Sequence, residues 1–285
     1  MRRFPLLRAF LLALVIGGAA LLIGTVLGRV LLSRPESDPE PVEPPTKSET
    51  RTQTWDWLSQ DTPPNPYDPL DFSSQDGVIS YHGSGVTALQ GVDISAHNGD
   101  IDWKQAAEAG IDFAILQLGY RGYTAGNLNV DEAFFRNLDG ATDAGVKVGV
   151  YFFSQAKNVA EAEEEARFVV KALAGCRLDL PIYFDWETVT GGGRTDAVDQ
   201  EQLTAFALAF CRIVEDAGFR AGIYFNQHAG YYCYNLDALE GYSFWLAEYS
   251  AAPSFYFRFD LWQYSADGSV PGIEGAVDRN LFFFQ

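Results

Sequence analysis

The segment Pro181-Ile182-Tyr183-Phe184-Asp185-Trp186-Glu187 sets two carboxylates into an otherwise apolar run. Its length and its apolar and aromatic content are typical of a buried β-strand. Because alternate side chains of a strand share a face, Tyr183, Asp185 and Glu187 point to the same side. The two acids are then roughly 6.6 Å apart along the chain. Buried charges are unfavourable, so this pair indicates a site that uses them.

Outward from this segment, strand-like and helical stretches alternate from Gly91 onwards. The predicted strands begin near Gly91 (GVDIS), Phe113 (FAILQLGY), Lys147 (KVGVYFFS), Pro181 (PIYFDWE) and Arg220 (RAGIYFN). The predicted helices between them are 103–109, 131–144, 159–173 and 200–217. Several of these helices end in an Ala-Gly pair, which suits a helix C-terminus. Strands that alternate with helices indicate βαβ units and a parallel sheet.

The last three predicted strands are closer together than the others. They begin near Ser243 (SFWLAEY), Phe259 (FDLWQYS) and Gly275 (GAVDRNLFF). A connection of about nine residues is left between them, whereas a parallel crossover needs a dozen or more. We therefore expect these strands to lack full helices and at least one to run antiparallel. The predicted fold class is α/β, a modified eight-stranded β/α barrel over 91–285 with about five βα units and a helix-poor closing section.

Four segments are predicted before the barrel. Residues 1–8 form a basic N-terminus and residues 9–33 a transmembrane anchor, because 9–27 are apolar apart from Thr25 and uncharged. The arginines before this stretch place the N-terminus in the cytoplasm and the rest of a single-pass membrane protein outside the cell. A cleaved signal peptide is the alternative. Residues 34–70 predict a disordered, Pro-rich acidic stalk, and 71–90, which contain Asp76-Gly77, predict a β-hairpin.

Charge and composition exclude several classes of partner. The first 34 residues hold five Arg and no acid, which leaves 15 Lys and Arg against 38 Asp and Glu, a net charge of −23. This acidic part is unsuited to nucleic acid and is repelled by anionic polymers.

The three cysteines have no CxxC spacing and only three histidines are present, so we expect neither a zinc site nor any other cofactor.

Two further acids are expected to join the pair on the 181–187 strand. Asp93 lies in the first barrel strand and Asp278 in the last, and these strands are neighbours when a barrel closes. Chemistry in such barrels takes place at the C-terminal ends of the strands, where Asp185 and Glu187 also lie. A lone strand-end Asp is usually a turn or cap residue, and an acid cluster can also bind Mg²⁺ or Ca²⁺. Gly-rich phosphate loops are missing, however, and paired carboxylates are what glycosidic bond cleavage requires.

Aromatic and amide side chains near the strand ends suggest a sugar-binding groove. Aromatic faces stack on sugar rings, and amides and hydroxyls bind sugar hydroxyls. Some of these residues must instead belong to the core of the barrel. The predicted substrate-binding residues are Gln117, Tyr120, Tyr151, Tyr224, Asn226, Trp245, Trp262 and Gln263.

The ordered series GVDIS, DWE, IYFN, WLAEY, WQYS and GIEGAVDRN resembles the glycoside hydrolase family 25 lysozymes, the N-acetylmuramidases, over 91–285. The resemblance implies a modified β/α barrel that cleaves the β-1,4 bond between N-acetylmuramic acid and N-acetylglucosamine in peptidoglycan. It implies that Glu187 is the general acid and Asp185 its partner carboxylate. Asp93 and Asp278 correspond to the two other acids of the family's site.

Two alternatives to a membrane-anchored lysozyme stay open at this point. A non-catalytic, membrane-tethered peptidoglycan-binding module would keep the aromatic groove without needing four acids. A sugar deacetylase would normally need a His-assisted metal. The predicted partners are a peptidoglycan glycan strand and, through the N-terminal helix, a lipid bilayer, with a monomeric catalytic domain.

Overall fold

The computed structural model describes residues 61–189 and 193–284. The predicted basic N-terminus, the predicted anchor over 9–33 and the predicted stalk up to residue 60 lie outside the described residues. Among the residues that are described, no helix combines the length and the apolar character that a membrane crossing requires.

A β-hairpin precedes the barrel, as the Asp-Gly turn predicted. Its strands are β1 (Phe72–Gln75) and β2 (Val78–Tyr81), which pair antiparallel. Asp76 and Gly77 both have positive φ, at 51° and 77°, which is the backbone twist that tight hairpin turns require. The hairpin ends earlier than predicted, because the first barrel strand, β3 (Thr87–Ile94), already begins at Thr87.

Eight strands close into a barrel within the described residues. One further short strand, β5 (Leu128–Val130), pairs antiparallel with the C-terminal end of the second barrel strand and is not itself a barrel strand. After β3, the other seven barrel strands are β4 (Phe113–Arg121), β6 (Lys147–Ser154), β7 (Ile182–Trp186), β8 (Ala221–Asn226), β9 (Ser243–Ala247), β10 (Leu261–Gly268) and β11 (Val277–Phe284). They pair in the order β3-β11-β10-β9-β8-β7-β6-β4, and a β3–β4 pairing closes the ring. Among these eight described barrel strands, only β11 runs antiparallel to both of its barrel neighbours, which confirms that at least one closing strand is antiparallel.

The helices lie between the parallel strands of the first part of the barrel. They are α1 (Trp103–Glu108), α2 (Phe134–Asp143), α3 (Val159–Ala172), α4 (Gln200–Asp216) and α5 (Gln227–Tyr232). Gly110, Gly145 and Gly218 follow three of these helices with φ of 92°, 77° and 89°, so the Ala-Gly pairs are C-terminal stops as predicted. In the fully described connection between β9 and β10 there is no helix, which confirms the helix-poor closing section. Neither α5 nor β5 was predicted, because β5 has only three residues and α5 lacks the Ala-Gly stop that follows the equally short α1.

Large side chains fill the barrel interior below the C-terminal ends of the strands. Phe113, Tyr183, Trp245 and Phe282 form one buried cluster there. A Cβ on Gly91 would collide with the Phe113 ring, so this glycine makes room for the aromatic side chain of its partner on the neighbouring strand β4. Because this cluster fills the interior with apolar side chains, the polar side chains of the barrel lie above it, at the C-terminal ends of the strands.

The lead-in to the hairpin packs against the helix-poor wall of the barrel. Pro64 forms a β-bridge with Phe257, and the Tyr67 ring stacks on Phe283 with centroids 4.0 Å apart. The Tyr67 hydroxyl donates to the Phe259 carbonyl at 3.0 Å. Residues 61–70, which the composition assigned to the stalk, are therefore ordered on the domain. The Tyr67 ring covers apolar surface of the helix-poor wall, including Phe283.

Candidate active site

Asp93 and Asp278 lie directly opposite each other on β3 and β11. The register of these two antiparallel strands pairs Asp93 with Asp278 across 185 residues of sequence. Asp93 is buried, whereas Asp278 is partly exposed. Closure of the barrel therefore brings together the two acids that the sequence places near opposite ends of the domain.

Two amide side chains hold the Asp93 carboxylate. Its Oδ2 accepts hydrogen bonds from Nε2 of Gln263 at 2.7 Å and from Nδ2 of Asn280 at 2.8 Å. The Gln263 amide also reaches Oδ2 of Asp278 at 3.4 Å. Both amide nitrogens are donors, so they suit a carboxylate oxygen that accepts.

Aromatic side chains orient these two amides. Trp245 Nε1 donates to Oδ1 of Asn280 at 2.9 Å. The hydroxyls of Tyr249 and Tyr224 donate to Oε1 of Gln263 at 2.9 and 3.2 Å. Because the oxygen of each amide already accepts from an aromatic donor, its nitrogen must face the acids. This network holds the Asp93 carboxylate through two oriented amides.

Asp185 and Glu187 occupy different environments although they are two residues apart. Asp185 is in β7, 5% exposed, and is paired with Phe153 on one side and Tyr224 on the other. Glu187 comes immediately after the last residue of β7 and is exposed to solvent. One carboxylate thus lies in the barrel wall and the other at its rim, where a ligand can reach it.

The Tyr151 hydroxyl interacts electrostatically with several acids of the barrel mouth. Burial raises the pKa of the Tyr151 hydroxyl well above its usual value, and the negative charges of Asp93, Asp185 and Asp278 raise that pKa further. Three carboxylates from different strands therefore act on one phenol, which stays protonated and able to donate a hydrogen bond. Its ring packs edge-on against Trp245 at 5.9 Å.

Some predicted substrate-binding residues lie elsewhere. Trp262 is on the face of β10 opposite to Gln263, fully buried against Phe72 of the hairpin, and its Nε1 donates to the Glu248 carbonyl. Asn226 caps α5 by accepting from the amide of Ala229. The structure therefore does not bring Trp262 to the acids, and it assigns the Asn226 side chain to a helix terminus.

The other predicted residues divide between the mouth and the layer beneath it. Tyr224 and Trp245 are buried and pack together with ring centroids 4.7 Å apart, so they support the acids from below. Gln117 pairs with Tyr151 in the β4–β6 ladder and is half-buried. Tyr120 lies farther out, opposite Asn129 of β5, and is 40% exposed.

Three residues of the site escaped prediction. Asn280 follows Asp278 by two residues and so shares its face, a strand parity that was sufficient to find it. Tyr249 and Gln155 come after strands, in segments without periodicity. Gln155 is fully buried, and its Nε2 donates to the backbone carbonyl of Glu187 at 2.7 Å.

Comparison with known proteins places this geometry in a family context. The sequence pattern that defines glycosyl hydrolases family 25 matches residues 92–273. The chain is 26% identical to an autolytic lysozyme of Clostridium acetobutylicum over 196 residues, covering 68% of this chain and 56% of that one. It is 28% identical to lysozyme M1 of Streptomyces globisporus over 210 residues, covering 69% and 68%.

The fold is also found in solved structures. The modular autolysin LytC of Streptococcus pneumoniae superposes with a TM-score of 0.61 at 25% identity, covering 75% of this chain and 52% of that one. A second structure of LytC, in complex with a synthetic peptidoglycan ligand, gives a TM-score of 0.59. The chain thus spans about half the length of LytC and of the clostridial lysozyme.

Proposed function

Because this chain belongs to the glycosyl hydrolases of family 25, we propose that it is a lysozyme that cleaves the β-1,4 bond between N-acetylmuramic acid and N-acetylglucosamine in peptidoglycan. One observation carries the proposal: Asp93 and Asp278 face each other in register and share the Gln263 amide, Asp185 lies in the wall of the same barrel, and Glu187 is exposed at the rim. The lysozyme and autolysin relatives support peptidoglycan as the substrate.

Glu187 is the proposed general acid. It transfers its proton to the glycosidic oxygen as the bond from that oxygen to the anomeric carbon breaks, and the leaving sugar departs as an alcohol. Water later adds to the anomeric carbon and returns a proton to Glu187. A rim position suits this role, because the acid must reach a bond in a bound polymer.

Asp185 is the proposed partner carboxylate. Its negative charge in the barrel wall stabilises the positive charge that develops on the sugar ring. It does so either by attacking the anomeric carbon or by orienting the N-acetyl group of the substrate for that attack. The sugar is then bound and oriented by the carboxylates of Asp93 and Asp278, which Gln263 contacts, and by the Tyr151 hydroxyl.

The test replaces the proposed acid by its amide. Glu187→Gln should lower the release of reducing ends from purified peptidoglycan by at least about 10²-fold, the usual contribution of general acid catalysis. Folding should be unaffected because Glu187 is exposed. Glu108→Gln, which changes another exposed acid, on α1, is the matched control and should behave as the unchanged protein. A Glu187→Gln variant with near-normal release would remove Glu187 from this role.

The same assay separates hydrolysis from wall binding alone. A non-catalytic module would sediment with peptidoglycan without releasing reducing ends, in the unchanged protein as well as in the variant. The proposed lysozyme should release them from the outset.

We also propose that residues 9–33 anchor the protein in the cell membrane, with the barrel outside. The support is the uncharged apolar run and the arginines that precede it. The protein should remain in the membrane fraction after alkaline extraction, and external protease should digest its barrel in intact protoplasts. Recovery from the medium with an N-terminus beyond residue 33 would contradict the anchor.

A further inference from the structure

Glu187 needs a support that the sheet does not provide. The ladder between β6 and β7 ends at Trp186, so Glu187 is the first residue beyond the strand. A general acid has to be held within hydrogen-bond distance of the atom that it protonates. Contacts to the backbone of Glu187 therefore contribute to fixing the point from which its exposed side chain extends.

Gln155 lies where this support is needed. It follows the last residue of β6 and is 0% exposed. Its Nε2 donates to the Glu187 carbonyl at 2.7 Å, while the adjacent Ala156 carbonyl accepts from Trp186 Nε1 at 3.0 Å. The segment after β6 therefore holds both residues at the end of β7.

The far end of the same loop is tied to Gln155 as well. The Gln155 carbonyl accepts from NH1 of Arg194 at 3.0 Å, and the guanidinium of Arg194 pairs with Glu161 at 2.8 Å. The hydroxyl of Thr195 lies 3.5 Å from Oε1 of Gln155. With its oxygen turned toward Thr195, the amide presents its nitrogen to Glu187.

A buried charge network keeps Gln155 itself in place. Ser154, the preceding residue, donates to Oε2 of Glu165 at 2.6 Å, and Nε of Arg121 donates to Oε1 of the same carboxylate at 2.6 Å. Both side chains of the Arg121–Glu165 pair are almost fully buried. Strand β4, helix α3 and the end of β6 therefore form a rigid base for the Gln155 amide.

We infer that Gln155 is a positioning residue that holds Glu187 at the rim through the hydrogen bond from its amide nitrogen to the Glu187 carbonyl. The inference rests on the proposed role of Glu187. A displacement of about 1 Å in a reacting group can reduce a rate by about 10²-fold, so one hydrogen bond on the backbone of the acid is sufficient to matter.

The first experiment removes the donor but keeps the shape of the side chain. For Gln155→Met we expect kcat on soluble peptidoglycan fragments to fall by about 10–10²-fold, with KM nearly unchanged. Gln200→Met is the matched control, because Gln200 also donates from its amide to a backbone carbonyl, that of Tyr234 at 3.1 Å. This control should keep its kcat. Gln155→Asn is the second variant, for use if Gln155→Met folds poorly. Its amide is too short to reach the Glu187 carbonyl, so it should lose kcat likewise.

The second experiment distinguishes positioning of the acid from general weakening of the fold. A glycoside with a nitrophenolate leaving group needs little protonation, so the loss in kcat for Gln155→Met should largely disappear on that substrate. A fold defect would reduce turnover of both substrates equally, and that result would overturn the inference.

A double variant separates this inference from the proposed function. If Gln155 acts through Glu187, Gln155→Met combined with Glu187→Gln should be no slower than Glu187→Gln alone. If the two losses multiply, the inference is wrong although Glu187 remains the acid. If Glu187→Gln is itself as active as the unchanged protein, the proposed function fails first, and the positioning role fails with it.

Discussion

Gln263 shows how a single side chain can link the two ends of the domain. Its amide nitrogen contacts the carboxylates of Asp93 and Asp278, and its oxygen accepts from two tyrosine hydroxyls. Because every polar atom of the amide is engaged, its orientation is determined before substrate arrives. Such preorganised groups do not have to reorient during the reaction, which is the main advantage of an enzyme site over water.

Glu165 is a buried acid that should make stability depend on pH. Burial raises the pKa of its carboxyl from 4.5 to about 7, although hydrogen bonds from Ser154 and Arg121 lower that pKa. The folded state therefore binds a proton more readily than the unfolded state. The stabilising contribution of this proton is fully present below pH 4.5 and is lost as the pH rises through about 7.

The expected size of this effect is measurable. The free energy of unfolding should fall by about 3 kcal/mol from this group over that pH range. Denaturant titrations should show this slope in the unchanged protein and not in Glu165→Gln. Glu164→Gln is the control, because Glu164 also pairs with Arg121 but is largely exposed, and it should keep the slope. Equal slopes in all three proteins would show that Glu165 titrates normally.

At the residue scale, alternation along strands predicted more than composition did. Inward parity placed Asp93, Asp185 and Asp278 on the barrel interior, and the structure has them there. Parity also implied that the neighbours Trp262 and Gln263 face opposite sides, although both were predicted to bind substrate. Only Gln263 faces the acids, because adjacent residues of β10 cannot share a face.

At the element scale, the lead-in and the hairpin take the place of the missing helices. The last strands are too close in sequence for helical crossovers, so the outer faces of β10 and β11 need another cover. Phe72 packs edge-on against Trp262, and Tyr67 stacks on Phe283. Residues 61–81 are therefore part of the folded domain rather than a tether beside it.

This cover can be tested at its central aromatic residue. Tyr67→Ala should reduce the free energy of unfolding by about 3–5 kcal/mol, since a buried aromatic ring and its hydrogen bond are lost. Leu70→Ala is the control, because Leu70 is 90% exposed, and it should change stability by less than about 0.5 kcal/mol. Both are measured by denaturant unfolding. A stable Tyr67→Ala variant would mean that the lead-in contributes little to the fold.

The element order was predictable, whereas the position of the stalk boundary was not. Helix stops and strand spacing are local signals, and they located α1 to α4 and the barrel strands. The composition of 61–70 is that of a linker, but Thr62 and Tyr67 are buried. Whether such a segment docks depends on an apolar surface formed by residues about 190 positions later, such as Phe259.

At the scale of the whole molecule, the charge opposes the approach to an anionic substrate. The chain after residue 34 carries a net charge of −23. Walls that carry anionic polymers should repel it over a distance set by the Debye length, about 30 Å in 0.01 M salt and about 8 Å in 0.15 M salt.

Salt should therefore accelerate the digestion of such walls. We expect the initial rate on walls with their anionic polymers to rise severalfold between these two salt concentrations, because screening reduces the repulsion. A neutral soluble glycan fragment is the matched substrate and should show little change. A rate that falls with salt on intact walls would instead point to a local positive binding surface.

The sequence by itself determined the order of strands and helices, the helix-poor closing section and the four acids, because periodicity, spacing and residue type are properties of neighbouring residues. Only the tertiary structure decided which polar side chain contacts which acid, although Gln263 was predicted for the site and strand parity was sufficient to indicate Asn280. Gln263 with Asp93, and Gln155 with Glu187, are contacts between residues 170 and 32 positions apart. They arise when the barrel closes and strand ends meet at one rim, and no local pattern in the chain specifies them.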